Sequence, residues 1–215
     1  MRRLSFICSL LLISIAGYGQ DSLDNKALKP PAFFISIDYG KLATLPTEYE
    51  TKWEGGLGFR IGKHLSPVIY AGYSTLTPEN AISNGTYESS GWYFRAGLEY
   101  TINLDPRNSL IIGARYGQSS FSEDASYIVS SNLFEDLTGE VSRQDLSAQW
   151  AELVLGSEMR LGESSFYIGG YFTVRIMVNR DEYKPVDTYA IPGYGRTVDK
   201  TIPALQLYLK AALFR

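Results

Sequence analysis

The chain has 215 residues, a formal net charge of -3 and a hydrophobic fraction of 45%. This length is typical of one domain, and the mild negative charge excludes a nucleic-acid-binding surface, which requires a clustered basic face. The 16 tyrosines, the 20 glycines and an aromatic fraction of 13% favour β-strands, where aromatic side chains are enriched and glycines mark bends and close approaches.

The N-terminus has the layout of a secretory signal peptide. The sequence MRRLSFICSLLLISIAGYGQ begins with positive charge, continues with an apolar run and ends in small residues. Cleavage after Gly19 makes residues 1–19 the signal peptide and leaves a short N-terminal periplasmic segment, 20–31. An uncleaved membrane anchor is the alternative, but the apolar run is short for a span. Cys8 is the one cysteine and lies inside this run, so we expect no disulfide in the mature chain.

The rest of the chain alternates between apolar and polar residues in eight segments, which predict β-strands. The segments are 32–41, 51–61, 67–76, 88–104, 108–121, 147–161, 165–179 and 201–214. A short turn of helix within 132–146 is the one departure from this all-β prediction. No stretch after the signal peptide approaches the ~20 apolar residues of a transmembrane helix.

Short and long connections alternate between these segments. Three are short turns with the sequences GKHLS, DPRNS and GESS, and four are longer and rich in Ser, Asn, Asp, Glu and Pro, namely 42–50, 77–87, 122–146 and 180–200. Transmembrane barrels have short periplasmic turns and long outer loops. We therefore predict an all-β fold over residues 32–215, an eight-stranded antiparallel up-and-down transmembrane β-barrel with a polar, filled lumen. We expect its four long connections at the cell surface.

Each predicted strand has one apolar face and one face with charges and glycines. In segment 88–104, Trp92, Phe94 and Leu98 alternate with Arg95 and Glu99. A soluble barrel gives the same alternation with the faces exchanged, so the pattern alone does not distinguish the two. Aromatic residues near the strand ends of the apolar face favour the membrane, where they form interfacial girdles. They are Trp53, Trp92, Tyr100, Tyr116 and Phe166.

The polar faces predict a network of charges inside the lumen. Five acids and six bases are nearly balanced there, as buried charges require. The acids are Asp38, Glu54, Glu99, Glu152 and Glu158, and the bases are Arg60, Arg95, Arg115, Arg160, Arg175 and Lys210. We interpret them as structural ion pairs, because an eight-stranded barrel is only wide enough for its side chains to fill. A conducting pore or catalytic carboxylates are the functional alternatives. Glu99 and Arg115 are expected to approach each other diagonally, with 103 opposite 110.

Enzyme chemistry has little support in the sequence. The single histidine, His64, lies in a short turn placed on the periplasmic side, and the mature chain has no cysteine, so no Ser-His or Cys-His site is expected at the outer rim. We predict no catalytic residue, no cofactor and no metal site. Loop acids that could gather Ca²⁺ or bridge lipopolysaccharide through divalent ions are interpreted as solvated charge. They are Glu123, Asp124, Glu135, Asp136, Asp181 and Glu182.

Four stretches carry a resemblance to a known family. They are GWYFRAGLEY (91–100), GARYGQSSFS (113–122), SAQWAELVLGSEMRL (147–161) and YAIPGYGRT (189–197). In these stretches the chain resembles the Bacteroidota outer-membrane family known as domain of unknown function 6048, from about residue 32 to the end. The resemblance implies an outer-membrane β-barrel and no activity. One departure is the C-terminus, where Arg215 follows Phe214 although barrel chains often end on an aromatic residue.

These observations lead to a functional expectation. We expect a non-enzymatic protein of the Gram-negative outer membrane with a structural or partner-binding role. Its partners are outer-membrane lipids, with room for a protein partner in the outer membrane or periplasm, and no nucleic acid. Alternatives are a small transport or adhesion barrel, a soluble periplasmic lipocalin-like binder and, last, a lipid-modifying enzyme.

Overall fold

The computed structural model describes residues 33–40, 50–79, 81–129, 135, 137–181 and 187–214. The expected signal peptide, 1–19, and the N-terminal segment, 20–31, lie outside the described residues, as do Asp136, Glu182 and Arg215. No helix in the described part of the chain has the length and hydropathy of a membrane span.

Eight long strands form the main sheet, and a two-stranded hairpin lies between the last two of them. The long strands are β1 (Phe33–Asp38), β2 (Glu50–Phe59), β3 (Leu65–Leu76), β4 (Gly85–Asn103), β5 (Asn108–Val129), β6 (Leu137–Arg160), β7 (Phe166–Arg180) and β10 (Thr201–Phe214). The hairpin consists of β8 (Ala190–Ile191) and β9 (Gly195–Arg196). The predicted all-β fold is confirmed, and the bounds of the eight predicted segments agree with these long strands to within a few residues in most cases.

The eight long strands close on themselves. Each pairs antiparallel with its neighbours in the order β1-β10-β7-β6-β5-β4-β3-β2, and the sheet is a closed barrel. Closure is made by the first and last strands, where Ile35 lies opposite Ala211 and Ile37 opposite Leu209. Every strand of the ring thus has two hydrogen-bonded neighbours, and the pairing with the short β1 covers residues 55–59 of β2 and 208–214 of β10. The predicted eight-stranded antiparallel order is confirmed.

The short turns agree with their predicted positions. Gly62 and Gly162 adopt positive φ values of 66° and 61° in the turns after β2 and β6. In the turn between β4 and β5, a carboxylate oxygen of Asp105 accepts hydrogen bonds from the backbone N–H groups of Arg107 and Asn108, both at 2.7 Å. Three tight turns thus lie at one end of the ring, and the described parts of the longer connections lie at the other.

Two predictions about the long connections are wrong. The expected turn of helix within 132–146 is contradicted for 137–146, where β6 is extended, while 132–134 and 136 lie outside the described residues. The segments 77–87 and 122–146 were expected as loops, but β4 begins at Gly85 and β5 continues to Val129. Polar residues conceal these strand ends, because their outward face carries residues such as Thr86, Glu88 and Asp124 in place of the apolar side chains of the ring.

Three strands therefore continue beyond the ring. The last pair between β3 and β4 is Leu76 with Ser89, and the last between β6 and β7 is Ala148 with Arg180. We call the protruding part the extension; it comprises residues 85–88, 120–129 and 137–147. A bulge between Phe121 and Glu123 lies within it, opposite Asp145, which has a φ of 58°. Bulges of this kind locally disrupt the ladder and increase the twist of a sheet.

The two faces of the ring have opposite chemistry. Burial alternates residue by residue, and in β2 the exposed positions carry Trp53, Leu57 and Phe59 while Lys52 and Glu54 are buried. The core inside the ring combines charges with tyrosines, and one apolar cluster there comprises Phe34, Val68, Tyr70, Ile111, Val154, Tyr171 and Tyr208. The large hydrophobic residues of the outward face are exposed instead, which reverses the usual distribution.

Inward glycines make room for the large rings. A Cβ at Gly56 would lie 2.5 Å from the ring of Tyr70, and one at Gly156 would lie 2.5 Å from the ring of Tyr171. Real Cβ atoms do not approach that closely, so both positions require glycine for these tyrosines to cross the interior. The alternation of small and large residues fills the narrow ring, as expected for eight strands.

Candidate functional site

The interior of the ring is the candidate site. All eleven charged residues predicted to line it are buried, with exposed fractions of 8% or less. They are Asp38, Glu54, Arg60, Arg95, Glu99, Arg115, Glu152, Glu158, Arg160, Arg175 and Lys210. Period-two alternation brings them to one face of their strands, and closure of the ring brings those faces together. We call their connected ion pairs the lumen network.

Glu152 on β6 is the centre of the lumen network. Its carboxylate lies 3.3 Å from Nη1 of Arg95, 3.1 Å from Nε of Arg175 and 3.8 Å from Nη1 of Arg115. The indole Nε1 of Trp150 donates a further hydrogen bond to it at 2.9 Å. Four strands thus converge on one buried carboxylate, and the strands are β4, β5, β6 and β7.

Glu54 on β2 forms the second branch. It pairs with Arg95 and lies 3.0 Å from Nζ of Lys52, which also reaches Asp38 at 3.2 Å. The hydroxyl of Tyr93 donates a hydrogen bond to Glu54 at 2.5 Å. Lys52 was missed in the sequence analysis, although it shares the parity of Glu54 in the same predicted strand. Lys52 adds a seventh base to the predicted interior.

Glu99 and Arg115 form the pair expected of them. Nη2 of Arg115 donates to Oε1 of Glu99 at 2.5 Å, and the hydroxyls of Tyr70 and Tyr171 donate to the same carboxylate at 3.2 and 3.3 Å. The guanidinium of Arg115 also lies over both tyrosine rings, 4.3 and 4.5 Å from their centroids. The carboxylate is therefore surrounded by donors, as burial of its charge requires.

The predicted register of this hairpin is wrong by one residue. Asn103 lies opposite Ser109 rather than 110, so Glu99 lies opposite Gly113 and Arg115 opposite Gly97. The DPRNS turn is tighter than expected, because the Asp105 carboxylate holds the backbone at the turn. The pair remains diagonal after the correction, because both residues keep the inward parity.

The remaining predicted charges lie toward the short turns. Lys210 pairs with Glu158, which also accepts a hydrogen bond from the Tyr208 hydroxyl at 3.1 Å. Arg160 donates instead to the backbone carbonyls of the adjacent turn, at 2.9 Å from Nε and 2.7 Å from Nη2. Arg60 is buried, and its Nε has no hydrogen-bond partner among the described residues. Arg60 and Arg160 are thus not part of the central network.

The β8–β9 hairpin closes the other end of the ring. Arg175 Nη1 donates to the backbone carbonyl of Tyr194 at 2.6 Å, and neither Tyr194 nor Ile191 has measurable exposure. Both residues pack in one apolar cluster with Tyr93, Phe121, Leu146, Ala148 and Trp150. The connection 180–200 was expected as a solvated loop, and for its part 188–194 that expectation is wrong. Its YAIPGYG sequence carried the signal, since it is far less polar than the other long connections.

The extension carries a second buried cluster. Glu123 accepts hydrogen bonds from Arg143 Nη1 at 2.7 Å and from the Tyr87 hydroxyl at 2.8 Å. Burial and the neighbouring Glu123 carboxylate raise the pKa of Tyr87, so its hydroxyl stays protonated and keeps donating. Glu123 was expected to be a solvated loop acid, and its burial in this cluster corrects that expectation. Its neighbour Asp124 is exposed, as expected for a solvated charge.

An open cleft lies where the extension leaves the ring. It has a volume of about 600 Å³ and is lined by residues 77–79 after β3, 85–88 of β4, 124–126 of β5 and 140–142 of β6.

His64 lies at the opposite end, in a short turn, where its Nδ1 is 2.9 Å from the carbonyl oxygen of Thr101. Among the described residues, no three His, Cys, Asp or Glu side chains are grouped so as to hold a metal ion.

These features define a class of protein: a closed eight-stranded antiparallel sheet with an ion-paired interior, an apolar exterior and an internal hairpin across one end. The chain belongs to a family of unknown function, because the model of the domain of unknown function DUF6048 matches residues 4–208. No curated protein matches it.

Proposed function

We propose that this protein is a non-enzymatic β-barrel of the Gram-negative outer membrane. Export by a signal peptide at 1–19 precedes insertion, and the filled barrel then serves a structural or partner-binding role. Its partners are the outer-membrane lipids and a protein of the outer membrane or periplasm. In this proposal the tight turns lie in the periplasm and the extension faces the outside of the cell.

The apolar outward face is the observation that carries the proposal. More than twenty large hydrophobic side chains of the ring are exposed, such as Leu205 at 71% and Leu57 at 56%. Soluble monomers rarely expose a contiguous apolar surface of more than a few hundred Å². Lipid covers such a surface at no hydration cost, and closure of the sheet pairs backbone groups between strands, as hydrocarbon requires.

Aromatic residues at the two ends of this face support the same arrangement. Trp92 and Trp53 are 68% and 58% exposed and lie toward the end of the ring from which the extension protrudes. Tyr73 packs against Trp92 with ring centroids 5.1 Å apart. Tyr100 and Phe166 are exposed near the tight turns, each at 48%. Amphipathic rings favour the two interfaces of a bilayer, where one edge contacts lipid and the other contacts water.

The filled interior argues against two alternatives. A lipocalin-like binder needs an apolar cavity and a wet exterior, but here the interior carries the lumen network and the exterior is apolar. A transport barrel needs a continuous water-filled path. Here Tyr70, Tyr171 and Tyr208 fill the interior, and Ile191 and Tyr194 of the internal hairpin fill the end opposite the tight turns. A closed structural barrel fits both observations.

Membrane fractionation with a heat-modifiability assay tests the proposal. The folded protein should remain with the outer membrane after carbonate washing, and its gel mobility should change when the sample is boiled. Recovery in the soluble periplasmic fraction would contradict the proposed membrane location. Planar-bilayer recordings test the closed lumen, and steady channels of porin size would contradict it.

A further inference from the structure

The outer edge of β4 in the extension has no paired strand among the described residues. Pro78 follows the last β3–β4 pair by two residues and would lie opposite Tyr87 if the ladder continued. Proline has no N–H group to continue the ladder, and residues 85–88 pair with β5 alone among the described strands. The sheet thus presents a short free edge beside the cleft.

The backbone groups of this edge can be assigned. The N–H of Ile128 donates to the carbonyl of Asn84 at 2.8 Å, so these two residues form a hydrogen-bonded pair of the β4–β5 ladder. Antiparallel ladders alternate, so Thr86 and Glu88 also direct their backbone groups toward β5. Gly85 and Tyr87 therefore direct theirs away from it, toward the cleft. Within the described part of the chain, two N–H groups and two carbonyls are thus left for an added strand.

The side chains that line the cleft are polar and acidic. Exposed outward positions of the extension supply Thr86, Glu88, Asp124, Glu140 and Ser142, and Glu79 lies across the cleft on the segment after β3. None of the four carboxylates pairs with a residue that the structure describes. Every acid of the lumen network, in contrast, contacts at least one base. The charge of the cleft has no complement within the described chain.

The cleft rests on a packed support. Tyr87 and Ala125 form an apolar cluster with Leu76 and with Ala190 of the internal hairpin, and the N–H of Ala190 donates to the Tyr87 hydroxyl at 3.3 Å. The edge is therefore held in place from the inner side before any partner arrives. Such preorganisation lowers the ordering cost of binding.

We propose that this cleft binds an extended basic segment of a partner protein, which adds a strand to the free edge of β4. Backbone bonds to Gly85 and Tyr87 supply the pairing, as in β-augmentation generally. Side chains at alternate positions of the added strand lie beside Thr86 and Glu88, so lysine or arginine at those positions reaches Glu88 and, across the cleft, Glu79. The volume of about 600 Å³ suits a segment of a few residues.

The inference rests on the proposed function for its partner-binding role, but its test does not depend on the membrane. The full chain, folded in detergent, is titrated with a fluorescent peptide of alternating lysine and threonine, and binding is followed by anisotropy. A peptide of the same composition with its lysines grouped at one end is the sequence control. A third peptide is N-methylated at the residues whose N–H groups would face β4.

The alternating peptide should bind more tightly than the grouped peptide, and N-methylation should abolish the difference. The double variant Glu79→Gln with Glu88→Gln should weaken binding roughly three- to tenfold, the scale of two exposed ion pairs. Glu163→Gln, in a short turn at the other end, is the matched charge control and should bind like the wild type. Unchanged heat-modifiability of each variant shows that the fold is intact.

Three outcomes would overturn the inference. Equal binding of the N-methylated peptide means that only electrostatic attraction acts. Displacement by millimolar Ca²⁺ beyond that by sodium at equal ionic strength means that the acids bind cations instead. No binding of any basic peptide means that the edge has no such partner. A soluble protein that still binds the peptide would reject the outer-membrane proposal and leave this inference standing.

Discussion

The lumen and the cleft use the same carboxylates in opposite ways. In the lumen, Glu152 contacts three arginines, and its charge is neutralised where water has little access. In the cleft, Glu88 and Asp124 are exposed and have no partner that the structure describes. Burial is costly for an unpaired charge, while solvent screens an exposed one. The comparison indicates that the lumen acids stabilise the fold, and that the cleft acids are free for interactions with other molecules.

The largest effect is expected when the central charge of the lumen network is removed. Glu152→Gln leaves Arg95, Arg115 and Arg175 without their shared carboxylate, and we expect a loss of about 3–5 kcal/mol in unfolding free energy. Urea titration followed by heat-modifiability measures it, with Glu163→Gln as the exposed control. A loss below about 1 kcal/mol would mean that water or another group already neutralises these arginines.

The second prediction places a charge on the outward face of the ring, where the proposed function expects lipid. Leu98 is 51% exposed on the outward face and is adjacent to the buried Glu99. Leu98→Lys should cost about 2–4 kcal/mol in a bilayer, as lysine does near the middle of the membrane. Leu98→Ile keeps volume and polarity and should be nearly silent. Refolding into lipid vesicles from urea measures both, and tolerance of the lysine would assign the outward face to water.

Much of the ring could be predicted from the sequence, and the reason is period two. Alternation from Trp92 to Leu104 identifies a strand and assigns Arg95 and Glu99 to one face, and the sequences of the short turns limit which strands pair. The register of the β4–β5 hairpin is harder to predict, because it depends on how Asp105 folds the turn. The predicted register was wrong by one residue, which changed the residue opposite Glu99 but left Glu99 on the inward face.

The parts outside the ring could not be predicted in the same way. Segment 122–129 is a strand whose exposed face carries serines and an aspartate, so it lacks the apolar periodicity that strand prediction requires. The hairpin at 188–197 is buried by contacts with Trp150 and Phe121, which are far away in sequence. Its burial is a tertiary effect, and only the low polarity of YAIPGYG hinted at it.

The third prediction concerns the hairpin that separates the two regions. The Tyr194 hydroxyl donates to the backbone carbonyl of Lys200 at 3.1 Å, and burial raises the pKa of Tyr194. A raised pKa gives stability that is present below the ordinary tyrosine value of about 10 and is lost as pH rises through the folded value. Limited proteolysis should therefore spare 188–197 at pH 7.5 and cut it increasingly above pH 10.

Tyr194→Phe is the matched variant for this prediction. It loses a hydrogen bond, which typically contributes about 0.5–1.5 kcal/mol, so its hairpin should be cut somewhat faster at pH 7.5. It should also lose most of the additional cleavage at alkaline pH. Equal cleavage of the wild-type hairpin at both pH values would mean that ionisation of Tyr194 does not release the hairpin, and rapid cleavage at pH 7.5 would mean that the hairpin does not stay inside the ring.

The smallest effect is expected at the exposed acid of the extension. Asp124→Asn removes a charge that has no partner among the described residues, so its unfolding free energy should stay within about 0.5 kcal/mol of the wild type. The adjacent residue makes the contrast sharp, because Glu123 faces the opposite side, where it pairs with Arg143 and Tyr87. Glu123→Gln should therefore destabilise the protein more than Asp124→Asn in the same urea titration. Equal losses at both positions would mean that the two faces of the extension are equally buried, and the cleft would then be occupied within the chain rather than open to a partner.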